Sequence, residues 1–348
     1  MRRASRRSAS QVGCRACVLK QRTALPPFSP SLLVLAGLAN AELFPAFSQP
    51  YLMPPTPLIR RFAAVTLLAL VTVFSGCASF TRIADYPTPR QPVTVAIVAK
   101  PMSKMSELPI GAFYDEPRQI VISGHQKGLG WGMMFGVVGV LVANETNKSA
   151  AESRFGAAAH GSAVDLGTIA REVLAGELAA HPEVAWSATT GSAQLQLSPY
   201  AVFTVLASGK ARLYAMVRAE IPGSGGDPKW SVRYFVRAPG EYPIEGNDGW
   251  MSQERFVGGM RAALQRAIQV CVDDTQGRLT GTKTLRARGV FPFMNTDKFE
   301  LPFIVVKDGS ESVVARLAGG DALVMAGTHV LERADYQFTD ATFKDPRH

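Results

Sequence analysis

The chain has 348 residues and a formal net charge of +9, a length that suits one large domain or two small ones. The charge is unevenly distributed, because residues 1–76 contain nine of the 37 lysines and arginines but one of the 28 acidic residues. Residues 77–348 therefore carry 28 basic and 27 acidic side chains. A nearly neutral body lacks the basic surface on which nucleic-acid binding depends, so we expect no nucleic-acid partner.

The first 52 residues have the composition of a segment outside the native protein. They are rich in arginine, and their first acidic residue is Glu42. We interpret residues 1–52 as a non-native upstream extension, with the native protein beginning at Met53. A competing interpretation places a signal-peptidase site at Ala39-Asn40-Ala41, but a better-formed export signal follows it.

Residues 53–76 have the layout of a secretory signal peptide. Residues 60–61 are both arginine, residues 62–74 are apolar apart from two threonines, and Ser75-Gly76 are small. The apolar run has 13 residues, whereas a helix needs about 20 to cross a bilayer. We therefore expect this segment to be cleaved and not retained as a transmembrane helix.

A cysteine follows the small residues and changes the type of signal. The sequence Phe74-Ser75-Gly76-Cys77 resembles the lipobox of bacterial lipoproteins, with phenylalanine where most lipoboxes carry leucine. In that family the cysteine thiol is diacylated, the signal is cut just before the cysteine, and the new amino group is acylated. The resemblance implies that Cys77 is the lipidated mature N-terminus and attaches the protein to a membrane. The alternative is an ordinary signal peptide in which the cysteine occurs by chance.

The residues after the cysteine bear on location. Ala78 and Ser79 follow Cys77, and the enterobacterial sorting rule for this family implies the outer membrane when no aspartate comes directly after the cysteine. We expect a lipid-anchored protein of the cell envelope on the periplasmic side of the outer membrane. Cys271 lies in an apolar stretch, which predicts a buried and inert thiol that an oxidising compartment tolerates.

The rest of the chain divides into three parts. Residues 77–92 are predicted to form the lipidated N-terminus and a tether, residues 93–280 a periplasmic domain, and residues 284–341 a β-rich region. Within the domain, β-branched residues predict strands at 93–99 and 119–123.

A helix is predicted to follow, beginning at Ser162. Ser162 and Asp165 have the spacing of a capping box, apolar residues recur at helical intervals, and His181-Pro182 ends the pattern. Alternating apolar and polar residues at 194–197, 212–221 and 230–237 then predict antiparallel strands with one face exposed to solvent. Residues 252–276 form a second amphipathic pattern, and Gly277 suits the position just beyond a helix end.

Short apolar segments separated by Asp-Gly and Gly-Gly turns predict a C-terminal β-meander. The elements together predict an α+β fold, a mainly antiparallel sheet packed by two amphipathic helices. Their order is similar to that in the small α+β domains of some periplasmic outer-membrane lipoproteins, such as the curli-secretion and penicillin-binding-protein-activator types. The resemblance is one of element order alone.

Residues 128–143 form an apolar segment without a charged side chain. Gly128, Gly132 and Gly136 recur every four residues, and Gly139 falls within the same arc of a helix. Glycines at this spacing let two helices approach closely. As a helix the segment would be about 24 Å long, which is short for a hydrocarbon core of about 30 Å, so a membrane span is the least favoured structure. A helix-packing interface and a glycine-rich hairpin buried in the domain remain as alternatives.

No catalytic motif accompanies these features. The chain lacks G-x-S-x-G, H-E-x-x-H and Walker A sequences. Asp273 and Asp274 are adjacent, so on a helix they would point about 100° apart and would not form a carboxylate pair. His329 and Glu332 form H-x-x-E without a second histidine, which predicts a structural histidine. We expect neither a cofactor nor a metal.

The sequence thus favours a non-enzymatic, structural or accessory role in a cell-envelope assembly, with a second copy of the chain or an envelope protein as partner. The alternative is a periplasmic enzyme or glycan-binding module on a lipid tether, in which exposed indole rings would stack on sugars. The candidate rings are those of Trp131, Trp186, Trp230 and Trp250.

Overall fold

The structure is a computed structural model of the chain. It describes residues 85–87, 92–102, 107–109, 111–123, 149, 152–153, 164–223, 228–294, 296–297, 299–317 and 323–342.

Twelve strands and two long helices are described in this part of the chain. The strands are β1 (Val93–Ile97), β2 (Phe113–Asp115), β3 (Ile120–Ser123), β4 (Trp186–Ala188), β5 (Leu195–Val205), β6 (Ala211–Ile221), β7 (Trp230–Arg237), β8 (Lys283–Arg288), β9 (Glu300–Asp308), β10 (Ser312–Leu317), β11 (Thr328–Glu332) and β12 (Gln337–Asp340). The helices are α1 (Leu166–Ala180) and α2 (Gln253–Thr275), and a 3₁₀ turn covers Leu323–Met325.

All twelve strands belong to one open sheet, in the order β12-β8-β9-β10-β11-β7-β6-β5-β1-β4, with the β2–β3 hairpin joined to β5. The pairs β5–β6 and β6–β7 are antiparallel, which confirms the prediction for the three central strands. The predicted meander is also present, because β8, β9, β10 and β11 pair consecutively and antiparallel. A parallel pairing of β11 with β7 continues the same sheet into these C-terminal strands. The fold is therefore α+β with a mostly antiparallel sheet.

The prediction that the central strands expose one face to solvent is wrong. Helices α1 and α2 pack on one face, and the C-terminal strands curl over the other. Two hydrogen bonds mark this second contact: the Tyr214 hydroxyl donates to the Val290 carbonyl at 2.9 Å, and the Phe293 N–H donates to the Thr204 hydroxyl at 2.9 Å. The prediction of a solvent-exposed face relied on long polar residues such as Tyr214, Arg218 and Arg233. Their aliphatic and aromatic parts pack in the interior, while their polar ends form hydrogen bonds.

Helix α1 begins later than the capping-box pattern indicates. Its N-cap is Asp165, whose carboxylate accepts hydrogen bonds from the Gly167 N–H at 2.8 Å and the Thr168 hydroxyl at 2.6 Å. Asp165 thus occupies the cap itself and not the third helical position assigned to it with Ser162 as cap. The predicted end is confirmed, because His181 is the C-cap.

Helix α2 has the predicted bounds. Ser252 is its N-cap, Gln276 its C-cap, and Gly277 follows with a φ of 67°, a left-handed conformation that glycine adopts without strain. One side of the helix, with Phe256, Met260 and Cys271, is buried against the central strands.

Candidate functional site

The residues that the sequence assigns to lipidation and helix packing lie outside the described part of the chain. They are Cys77, Gly128, Gly132, Gly136 and Gly139. The first described residue after Cys77 is Asp85, eight positions further along. The candidate site is the contact between residues 85–87 and the domain that follows them.

Residues 85–87, named here the N-terminal strap, are held by two successive side chains. The Asp85 carboxylate lies 2.5 Å from Arg316 Nη1. The Tyr86 ring is buried and meets the Trp230 ring edge-on, with centroids 5.2 Å apart and planes at 88°. Such an aromatic pair contributes about 0.5–1.5 kcal/mol beyond the area it buries. Residues 85–87 of the predicted tether are thus packed against the domain.

The partner of Asp85 belongs to a polar network inside the core. Arg316 also donates from Nη2 to Asp274 Oδ1 at 2.6 Å, and the Tyr234 hydroxyl donates to Asp274 Oδ2 at 2.8 Å. Burial raises the pKa of the Asp274 carboxyl, while the positive charge of Arg316 opposes part of that rise. The network links α2, β7 and β10 with the strap.

A shallow groove of about 320 Å³ lies beside the strap at the ends of β5 and β6. Its lining is mainly apolar and comprises Tyr86, Pro92, Val93, Ala193, Gln194, Ile221 and Pro222. Ile221 pairs with Trp230 across β6 and β7, so the groove, the strap and the paired ends of β6 and β7 lie at the same edge of the fold.

A second polar cluster lies on the face of β6 and β7 that the C-terminal strands cover. Arg218 Nη1 donates to Glu107 at 2.7 Å, and Nη2 lies 3.4 Å from the Lys100 carbonyl and 3.3 Å from the Pro101 carbonyl. The Tyr200 hydroxyl donates to the same Lys100 carbonyl at 2.5 Å. These bonds fasten the segment after β1 across the sheet.

The charges of this cluster largely neutralise one another. Glu220 forms ion pairs with Lys100 and with Arg218, the latter at 3.6 Å. Arg233 stands opposite Arg218 on β7, donates to the Val324 carbonyl at 3.1 Å, and has its pKa lowered to about 10 by burial. These side chains pair with one another and hold Lys100, Pro101 and Glu107 against the sheet, which is a structural role.

The remaining candidates from the sequence behave as structural residues. His329 is buried, stacks on Phe235 with centroids 4.6 Å apart, and its Nε2 lies 2.8 Å from the Met325 carbonyl oxygen. Cys271 is a free, buried thiol, and burial raises its pKa, as expected for an inert cysteine.

The two adjacent aspartates have separate partners. Asp273 Oδ2 lies 2.9 Å from Lys307 Nζ, whereas Asp274 binds Arg316 and Tyr234.

The strap and its partner were not predicted from the sequence. A signal was present in each case: Phe80 and Tyr86 are the aromatic residues between the predicted lipidation site and β1, and Arg316 interrupts the apolar run VVARL of β10. A cation within a buried strand requires a buried anion, because an unpaired buried charge is very costly. The pattern did not reveal which acid would supply it.

Among the described residues, no group of three or more His, Cys, Asp or Glu side chains is arranged to hold a metal ion. Within the same residues, no helix combines the length and apolar character needed to cross a membrane. Comparisons of the chain with protein-family models, curated proteins and solved structures found no match.

Proposed function

We propose that the chain is a bacterial lipoprotein, anchored by acylated Cys77, that serves as a non-enzymatic structural or accessory component of a cell-envelope assembly. The proposal places it at the outer membrane, facing the periplasm. Self-association or contact with another envelope protein, through the glycine face of residues 128–143, is part of the same proposal.

The observation that carries the proposal is the sequence that ends at Cys77, in which two arginines, an apolar run and two small residues precede the cysteine in the order of a lipoprotein signal. The described contacts nearest to Cys77 along the chain are those of Asp85 and Tyr86, eight and nine positions after it. A chain cut before Cys77 would keep every described contact of the body. The other cysteine of the proposed mature chain, Cys271, is free and buried.

The glycan-binding alternative loses most of its candidate residues. Trp186, Trp230 and Trp250 are all buried, with 7%, 5% and 1% of their surfaces exposed. Trp250 donates from Nε1 to the Ala211 carbonyl at 2.7 Å, and Trp230 packs on Tyr86. These rings have packing roles, and Trp131 lies outside the described residues.

Metabolic labelling with an alkyne fatty acid tests the proposal. We expect the full chain, expressed in a bacterium with lipoprotein-processing enzymes, to incorporate the label and to fractionate with membranes. Cys77→Ser should abolish labelling and leave an uncut precursor, because a hydroxyl is not the acyl acceptor of this pathway. The matched control is Cys271→Ala, which removes the other thiol and should leave labelling unchanged. Normal labelling of the Cys77→Ser variant would end the lipoprotein proposal.

A further inference from the structure

The strap also determines how far the body can move from a lipid anchor. Asp85 follows Cys77 by eight residues, which span at most about 29 Å when fully extended. The next described backbone hydrogen bond along the chain is that of Val93, whose N–H donates to the Ala185 carbonyl at 2.7 Å. Without the strap contacts, the intervening sixteen residues would reach about 58 Å. The contacts of Asp85 and Tyr86 therefore halve the reach of the tether.

This difference decides which surfaces can meet the membrane. A compact chain of about 260 residues has a radius of gyration near 18 Å, which corresponds to a sphere about 47 Å across. If the far side of the body touched the lipid, the strap would lie about 47 Å from the bilayer, beyond the reach of eight residues but within the reach of sixteen. A fastened strap thus excludes the opposite orientation, and a released strap permits it.

The surface around the strap combines apolar side chains with one exposed lysine and the exposed carboxylate of Asp85. The hairpin-end face is defined here by Tyr86, Pro92, Ile221, Pro222 and Lys229. It contains the apolar groove, the exposed Pro92 and Pro222, and the exposed Lys229. Apolar side chains with a nearby lysine are typical of surfaces that rest at a lipid interface, where the lysine reaches the headgroups.

We propose that the N-terminal strap holds the hairpin-end face against the lipid surface to which Cys77 is anchored. The inference rests on the proposed acylation of Cys77. It adds a defined orientation of the domain relative to the membrane, which the contacts Asp85–Arg316 and Tyr86–Trp230 maintain. The groove beside Tyr86 would then bind the lipid surface.

The reactivities of two exposed lysines, at opposite ends of β6, report which end of the fold faces the lipid. Lys229 belongs to the hairpin-end face, and its N–H donates to the Ile221 carbonyl at 2.9 Å. Lys210 is exposed and precedes Ala211 at the other end of β6. Because β6 has 11 residues, the two amines lie at edges of the fold separated by about 35 Å. Each serves as the control for the other.

The experiment uses the acylated full-chain product, purified in detergent with its fatty-acid label and returned to phosphatidylethanolamine–phosphatidylglycerol vesicles. A membrane-impermeant acetylating reagent is applied, and the modification of each lysine is measured by mass spectrometry in vesicles and in detergent. We expect the reactivity of Lys229 to fall roughly three-fold or more in vesicles, while that of Lys210 stays the same.

The decisive variant inserts eight Gly/Ser residues between Arg82 and Ile83, in the segment between the anchor and the strap. It leaves every described contact in place and doubles the reach, so the protection of Lys229 should be lost. A second pair compares Tyr86→Ala, which should also lose the protection, with Tyr86→Phe, which keeps the ring against Trp230 and should retain it.

The possible failures are distinguishable. A protein without fatty-acid label would overturn the proposed function and the orientation with it. A labelled protein in which Lys229 and Lys210 are equally reactive, or in which the lengthened tether leaves Lys229 protected, would overturn the orientation alone.

Discussion

Arg316 Nη2 lies 2.6 Å from Asp274 Oδ1, and each of these side chains is only 4% exposed. The pair is therefore an ion pair of the core that joins the end of α2 to β10, while Asp85 reaches the outer side of the same guanidinium. Removing one member of such a pair leaves the other charge buried, whereas replacing both members by apolar groups is often nearly neutral.

We predict that Arg316→Met and Asp274→Leu each destabilise the protein by about 3–5 kcal/mol, and that the double variant recovers most of the loss. Urea unfolding followed by circular dichroism would supply the double-mutant cycle. A pair outside the core, Arg333 with Asp308, is about half exposed and serves as the control, with an expected coupling below about 1 kcal/mol. Additive losses at Arg316 and Asp274 would contradict a coupled buried pair.

Helix α1 gives a second prediction, because its observed cap differs from the cap that the sequence indicated. Asp165→Ala should cost about 1 kcal/mol, since it leaves the Gly167 N–H and the Thr168 hydroxyl without their acceptor. Asp165→Asn should retain most of the stability because asparagine is an equally good cap. Thermal melts would compare both with Ser162→Ala, for which we expect no comparable loss.

Helix α1 shows which structural features neighbouring residues predict and which they do not. The spacing of apolar residues predicted both helices, and the alternation predicted the central strands, because these signals depend on neighbouring residues. Ser162 and Asp165 are both of residue types favoured at an N-cap, and the capping-box spacing indicated Ser162, whereas the structure has Asp165 as the cap. Burial of both faces of β5, β6 and β7 depends on strands about a hundred residues later in the chain. The alternation of apolar and polar residues within each strand carries no information about those strands, so it predicted one solvent-exposed face.

Arg218 supplies a prediction about the segment after β1. A lysine carries the same charge but a single nitrogen, so it cannot bind Glu107 together with the carbonyls of Lys100 and Pro101. We predict that Arg218→Lys costs about 2 kcal/mol. Arg171→Lys, at an exposed position of α1, should change stability by less than about 0.5 kcal/mol. Equal stabilities of the two variants in urea would rule out the fastening role of Arg218.

His329 should make stability depend on pH. Burial of the ring between Phe235 and Phe303 lowers its pKa from 6.5 to about 4, although the contact of Nε2 with the Met325 carbonyl opposes part of that shift. The unfolded chain then binds more protons between pH 6.5 and 4, so this contribution is complete above about pH 6.5 and is lost as the pH falls. We predict a loss of about 3 kcal/mol by pH 4 from this residue.

Unfolding in urea at a series of pH values would measure this loss. His329→Gln keeps a donor for the Met325 carbonyl and cannot become charged, so it should flatten the slope between pH 6.5 and 4. The control is His181→Gln, which changes a partly exposed histidine at the end of α1 and should leave the slope intact. An unchanged slope in the His329→Gln variant would assign the pH dependence to other groups.

The residues of the strap could not be assigned from sequence for a physical reason. Asp85 and Arg316 are 231 positions apart, and no local periodicity relates them. Arg316 within an apolar strand predicts that some acid is buried nearby, and Tyr86 within a proline-bearing segment predicts that some surface receives it. The identities of Asp274 and Trp230 as partners follow only from the packing of α2 and β7.

The last prediction concerns the glycine face at Gly128, Gly132 and Gly136, for which we propose close packing between helices of two subunits. Gly132→Leu would insert four carbons where two backbones approach, and it should therefore reduce the oligomer mass measured by light scattering in detergent. Gly130→Leu adds the same atoms about 200° away around the helix and should leave the mass unchanged. If the segment is a hairpin buried within one chain, Gly132→Leu should instead overpack the core by about 1–3 kcal/mol and lower the melting temperature without changing the mass. A monomeric wild-type protein, or equal masses for the two variants, would exclude the glycine face as a subunit interface.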